Sequence, residues 1–191
     1  ESLGHQIEQV EHPADYKAAT GAMNTLVCTH TYQNVKKRLD ELDTDLETAD
    51  LETSTRQMAQ LGARFSATDY LRARDTLNAA AAEMQTFHAR YDILLSPVLT
   101  KKTARLGWLN MNASDLNEYS SRYRSYSGFT ALYNGTGQPS ASLPMHTGAN
   151  GLPVGVMATA AWGDDALLLQ FARQLEEAKP WPLLAPMAVS E

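Results

Sequence analysis

From Ser66 to Tyr91 one apolar stripe runs unbroken: Tyr70, Ala73, Leu77, Ala80, Ala81, Met84, Phe87, His88 and Tyr91 recur at intervals of three and four. Residues so spaced share one face of an α-helix, and a stripe this wide has to be buried. The spacing predicts a helix that opens at Ser66-Ala67-Thr68-Asp69 and closes at Tyr91-Asp92. Ile93-Leu94-Leu95-Ser96 follows at once, an apolar run of strand length ending at Pro97. A strand apolar on successive positions asks for cover on both faces. A long helix feeding such a strand points to an α/β layered fold. With 191 residues, 43% of them hydrophobic and 20% charged, the chain can bury a core of ordinary size.

The remaining segments fit that class. After His12-Pro13, apolar positions from Tyr16 to Leu39 recur at helical spacing. The tetrapeptide Glu1-Ser2-Leu3-Gly4 reads as the tail of a helix with Gly4 at its C-cap, followed by a short strand Gln6–Val10. A domain seldom begins on the last turn of a helix, so the expectation is a piece of a longer protein. Residues 40–52 hold seven acids and no base. Such a run could serve a metal or a basic partner, but Thr44-Asp45-Leu46-Glu47 is a capping-box pattern, and a solvated surface helix is the simpler reading. Ser114 is placed to cap a short helix through Tyr126. Phe129 to Asn134 adds a helical turn or two before Gly135-Thr136-Gly137. Two strands, Ser140–Leu143 and Val154–Ala158, flank a hairpin-type turn at Gly148-Ala149-Asn150-Gly151. A last helix opens at Gly163-Asp164-Asp165, buries Leu167, Leu168, Phe171, Ala172 and Leu175, and stops at Pro180. The whole is one region, mostly helical over 1–90, with strands and the final helix over 91–182.

A net charge of −6 argues against a nucleic-acid or anionic-membrane partner. No apolar run approaches the roughly 20 residues that span a bilayer. Cys28 is the single cysteine, which excludes an internal disulfide and fits a reducing, cytoplasmic setting. No two of the five histidines stand at i, i+4, and HExxH and CxxC patterns are missing, so neither a metal nor any other cofactor is expected. Cys28 and His30, two apart on a helix, point in different directions and make a poor nucleophile–base pair. The G-x-S-x-G elbow is absent. Lys101 and Lys102 sit among polar neighbours, whereas a catalytic lysine needs desolvation to lower its pKa. Gly135-Thr136-Gly137 lacks a following lysine and lies between helix and strand in the reverse of P-loop order. Residue chemistry alone yields an α/β segment with no catalytic residue.

Four blocks, in order, resemble a known family. Tyr91-Asp92-Ile93-Leu94-Leu95-Ser96-Pro97 is similar to its Y-D-x-(L/I)-(L/V)-(S/T)-P strand. Asn134-Gly135-Thr136-Gly137-Gln138-Pro139-Ser140-Ala141-Ser142-Leu143-Pro144 is similar to the N-x-(T/S)-G-x-P-(A/S)-x-S-x-P passage near the end of amidase-signature enzymes. Gly151-Leu152-Pro153-Val154-Gly155-Val156 resembles the strand that follows, and Asp165–Glu176 with Pro180-Trp181 the last helix and its exit. Phe65–Tyr91 and Gly107-Trp108-Leu109 lean towards the 6-aminohexanoate-cyclic-dimer hydrolase branch.

The resemblance implies the C-terminal portion of the amidase-signature fold, a mixed sheet flanked by helices and incomplete in this chain. It implies a serine hydrolase acting on amide C–N bonds through a nucleophilic Ser, a second Ser in a cis peptide and a Lys. Those residues belong to a part of the family's chain that precedes this one. No GGSSGG-like run occurs here, so no catalytic residue is carried over and the fragment alone is expected to be inactive. The carried-over motif positions are structural: Asn134 (expected to satisfy backbone groups at its turn), Gly135, Gly137, Pro139, Pro144, Gly151, Pro153 and Gly155. Trp108, Tyr126, Phe129 and Thr130 would wall a pocket for a small amide substrate, with plain packing as the alternative. Met157 departs from the family, where a Gln often stands. The expected partners are the remainder of an amidase chain or a second copy, drawn to open sheet edges. Two rival readings stay open: a non-catalytic binding or scaffold module derived from the same fold, and a different hydrolase using Cys28.

Overall fold

A computed structural model describes residues 1–149 and 151–182. The elements run α1 (Tyr16–Glu41), α2 (Thr53–Gly62), α3 (Ala67–His88), β1 (Ile93–Pro97), α4 (Leu116–Tyr126), α5 (Ala131–Thr136), β2 (Ser140–Thr147), β3 (Pro153–Ala160) and α6 (Asp165–Ala178). The strands form one sheet in the order β1-β3-β2, with both pairings antiparallel. Any parallel pairing of a mixed sheet is therefore not made by these three strands.

Local chemistry explains the best-defined helices. Ser66 accepts from the Asp69 amide while Asp69 reaches back to the Ser66 amide, a complete capping box at the start of α3. Asp15 caps α1 by accepting from the Ala18 amide at 2.9 Å. At the end of α2, a Cβ on Gly62 would stand 2.0 Å from the Cys28 carbonyl oxygen. Only glycine lets α2 lie this close on α1.

The sheet's two faces are covered unequally. On one, Leu94 and Met157 join Ala19, Ala22, Ala73, Leu77, Ala80, Met84, Leu132 and Tyr133, so that α1, α3 and α5 form a single packed layer. On the other, Leu143, Ala158 and Ala160 meet Leu168 of α6, with Ile93, Phe171 and Leu175 at the margin. Leu95, next to Leu94 but facing the α6 side, is 47% exposed. The N-terminal segment is tied to α6, where the His5 ring bonds the Gln174 amide oxygen at 2.9 Å and meets Phe171 edge-on.

Four expectations are corrected. Gln6–Val10 forms no strand: it runs as irregular chain, with Val10 packed on the core that holds Leu94. The expected helix at 44–52 shrinks to a turn. There Asp45, not Thr44, is the capping acceptor, taking bonds from the Glu47 and Thr48 amides and the Thr48 hydroxyl. The regular helix starts later, at Thr53, whose amide is held by the side chain of Asn112, 59 residues along the chain. Asp115, not Ser114, caps α4 by accepting from the Asn117 and Glu118 amides.

Candidate functional site

The Asn134–Gly155 motif residues build a helix end, a crossover and a hairpin. The amide of Gly137 (φ +82°) donates to the Tyr133 carbonyl at 2.9 Å and closes α5. Thr136 is buried, its hydroxyl bonding the Leu132 carbonyl and the Gln138 side chain. These groups satisfy the turn. The Asn134 amide, expected to do so, is exposed and makes no hydrogen bond among the described residues. Gly135 belongs to the last turn of α5, where a Cβ would come 2.7 Å from a methyl of Leu77. The Pro139 carbonyl accepts from Ala160, setting β2 against β3. Pro144 sits in the bulge between Leu143 and His146. Gly148 and Gly151 (φ +76°) close the hairpin through Gly148 N–H to the Leu152 carbonyl, and Pro153 opens β3 opposite Thr147. Asn150 of the expected turn lies outside the described residues. Gly155 lets Ser142 and Val98 approach, with a Cβ there 2.7 Å from the serine oxygen.

The four expected wall residues separate into two environments. Trp108 and Tyr126 come together, ring centroids 5.8 Å apart and edge-on. The Lys101 ammonium lies 5.6 Å from the Trp108 ring and the Arg122 guanidinium 5.7 Å from it, and Arg122 also bonds the Trp108 carbonyl. The Tyr126 hydroxyl holds the Ala104 amide, while Thr100 bonds the Tyr126 carbonyl, so the 100–108 loop is fastened to α4. Phe129 instead packs against the main core, and Thr130 stands at the N-cap of α5 without a side-chain cap bond. Met157, where the family often has Gln, is buried in that same core.

Sequence reading missed a polar cluster on the covered sheet face. The Tyr133 hydroxyl, on a residue 6% exposed, lies 3.3 Å from His12 Nε2, with the Thr159 and Ser96 hydroxyls near enough to act on its titration. Thr159, fully buried, is 2.9 Å from the Ser140 hydroxyl. Burial pushes the Tyr133 phenol above its ordinary value, against the pull of its hydroxyl partners. The only sequence signal was the alternation of Ser140 and Ser142, which says nothing of a tyrosine on α5. Serine, threonine and tyrosine hydroxyls with one histidine at the rim satisfy one another. No lysine joins them, so the cluster does not amount to a serine–lysine centre.

Cys28 is buried, and desolvation raises its thiol pKa, which disfavours the thiolate. His30 turns away to the Tyr70 hydroxyl at 3.2 Å. Among the described residues no group of three or more His, Cys, Asp or Glu side chains is placed to hold a metal, and no helix is long and apolar enough to cross a membrane.

The profile of the family described as Amidase matches residues 1–169. A Mycobacterium leprae protein carrying the name amidase AmiC is 33% identical over 95% of this chain and 38% of its own length. The 6-aminohexanoate-cyclic-dimer hydrolase of Paenarthrobacter ureafaciens is 32% identical over 74% of this chain and 30% of its own length. A solved 6-aminohexanoate cyclic dimer hydrolase superposes with a TM-score of 0.80 at 27% identity, over 94% of this chain and 39% of the other. The chain thus spans about two-fifths of the length of these relatives or less.

Proposed function

Because the chain belongs to the amidase family, we propose that it is the closing segment of an enzyme that hydrolyses carboxylic amide C–N bonds, with the cytoplasm as its setting. One observation carries this reading: nearly the whole chain is similar to about two-fifths of the Mycobacterium leprae relative and of the solved hydrolase, and it holds no GGSSGG-like run. The nucleophilic serine, its cis-peptide partner serine and the lysine that takes its proton come from polypeptide outside this chain. So do the backbone amides that would stabilise the oxyanion of the tetrahedral intermediate.

In this reading the three strands extend the sheet that carries the missing loop, and the Trp108–Tyr126 pair lines the approach to it. A half-buried indole with cations on its ring presents a firm surface suited to a small amide. The assay is release of amine or ammonia from 6-aminohexanoate cyclic dimer and simple aliphatic amides. The chain alone is expected to show no turnover above the uncatalysed rate. Joined to a serine-bearing amidase portion it is expected to give turnover, which Trp108→Ala lowers. Enzyme-like rates from the chain alone overturn the reading.

A further inference from the structure

Two grooves are lined jointly by α1 and α3, and their charges differ. The larger, about 550 Å³, is bordered by Asp15, Lys17, Asp69 and Arg72, two acids against two bases. The smaller, about 440 Å³, carries Arg74 and His30 on its wall and no acid. An acid-free cationic groove stands out in a chain of net charge −6.

The lining divides by chemistry. Met23, Leu26, Val27 and Leu77 supply the apolar lining; Leu77 is 5% exposed and belongs to the core, Met23 and Leu26 pack on it, and Val27 is 38% exposed. Arg74, Asn134, Asn34 and Thr31 supply donors; Arg74 is the one charged among them, and neither it nor Asn134 has a hydrogen bond or ion pair among the described residues. His30 and Tyr70 are already paired with each other. The backbone of Gly135 borders the groove beside Asn134, pressed so near Leu77 that no side chain fits without displacing that methyl.

We propose that this groove binds a carboxylate with an unbranched apolar chain, its head group on Arg74 and Asn134 and its chain along Met23, Val27 and Leu77. A guanidinium presents a planar fork that matches a carboxylate, and the Asn134 amide adds a neutral donor. Each methylene laid on the apolar strip strengthens binding by up to about fourfold. The acid released by amide cleavage falls in this class, but the site itself needs no catalytic centre.

The test is an NMR titration of the 191-residue protein with octanoate, hexanoate and octylamine. Saturable octanoate shifts on the α1 and α3 groove residues, weaker for hexanoate and absent for octylamine, are expected. Arg74→Gln should weaken octanoate about tenfold, the range for loss of a charged hydrogen bond. Arg74 is exposed and unpartnered, so its substitution should leave the melting temperature in place. Asn134→Ala provides a second, independent loss of a few-fold. Equal binding of octanoate and octylamine, an unchanged affinity in both variants, or no saturation overturns the proposal.

Discussion

The two faces of the sheet are built from the same three strands yet differ in completeness. Towards α1, α3 and α5, Leu94 and Met157 enter a continuous core whose members Met84 and Leu132 are fully buried. Towards α6 only four of the described residues are buried, and Leu95 and Val154 stay about half exposed. Neighbours on one strand thus meet opposite fates: Leu94 is 9% exposed and Leu95 47%. Among the described residues, then, a strand apolar on both sides is covered mainly on one.

Substitutions should separate the two faces. Met84→Ala removes a fully buried side chain from the complete core and should cost about 2–5 kcal/mol by chemical denaturation. Leu168→Ala, behind the thin face, should cost clearly less, since that site can collapse towards solvent. Equal costs would mean the two faces are equally packed. Leu94→Ala should likewise cost about 2 kcal/mol or more, whereas Leu95→Ala should stay within about 0.5 kcal/mol. A large loss at Leu95 would show that the α6 face is better covered than these contacts allow.

Tyr133→Phe probes the polar seam of the complete face. It removes the hydroxyl that meets His12 and lies by the buried Thr159, and should cost about 1–3 kcal/mol if a buried neighbour loses its partner. A neutral result would make the cluster redundant.

The smallest effect concerns acid. Hydroxyl and amide donors from Thr48 hold Asp45, and those from Ser66 hold Asp69, below the ordinary carboxylate value. Their contribution is whole above the unfolded value near ~3.9 and is lost as pH falls from there through the depressed folded values. Melting temperature should therefore be flat on their account near neutrality and drop below about pH 4. Asp69→Asn should shrink that drop.

Legibility followed the range of the forces. Helix α3 could be read because its stripe and its Ser66–Asp69 capping box are both local. The β2–β3 hairpin could be read because Gly151 and the alternation across Ser140–Leu143 mark it. Helix α2 could not, since its first amides are held by Asn112 and Met111 and its last residue is fixed by Cys28. The same limit hid the site's geometry. The pairing of Trp108 with Tyr126 depends on a loop folding back over α4, and Phe129, adjacent in sequence, went to the core instead.

The claim that matters most is that this chain supports amide chemistry without containing its nucleophile. It is tested most directly by exposing the purified protein to a serine-reactive fluorophosphonate and reading the intact mass. The account expects the unmodified mass, with labelling only when a serine-bearing amidase portion is joined to the chain and then only on that portion. A stoichiometric adduct on any serine of these 191 residues would contradict it.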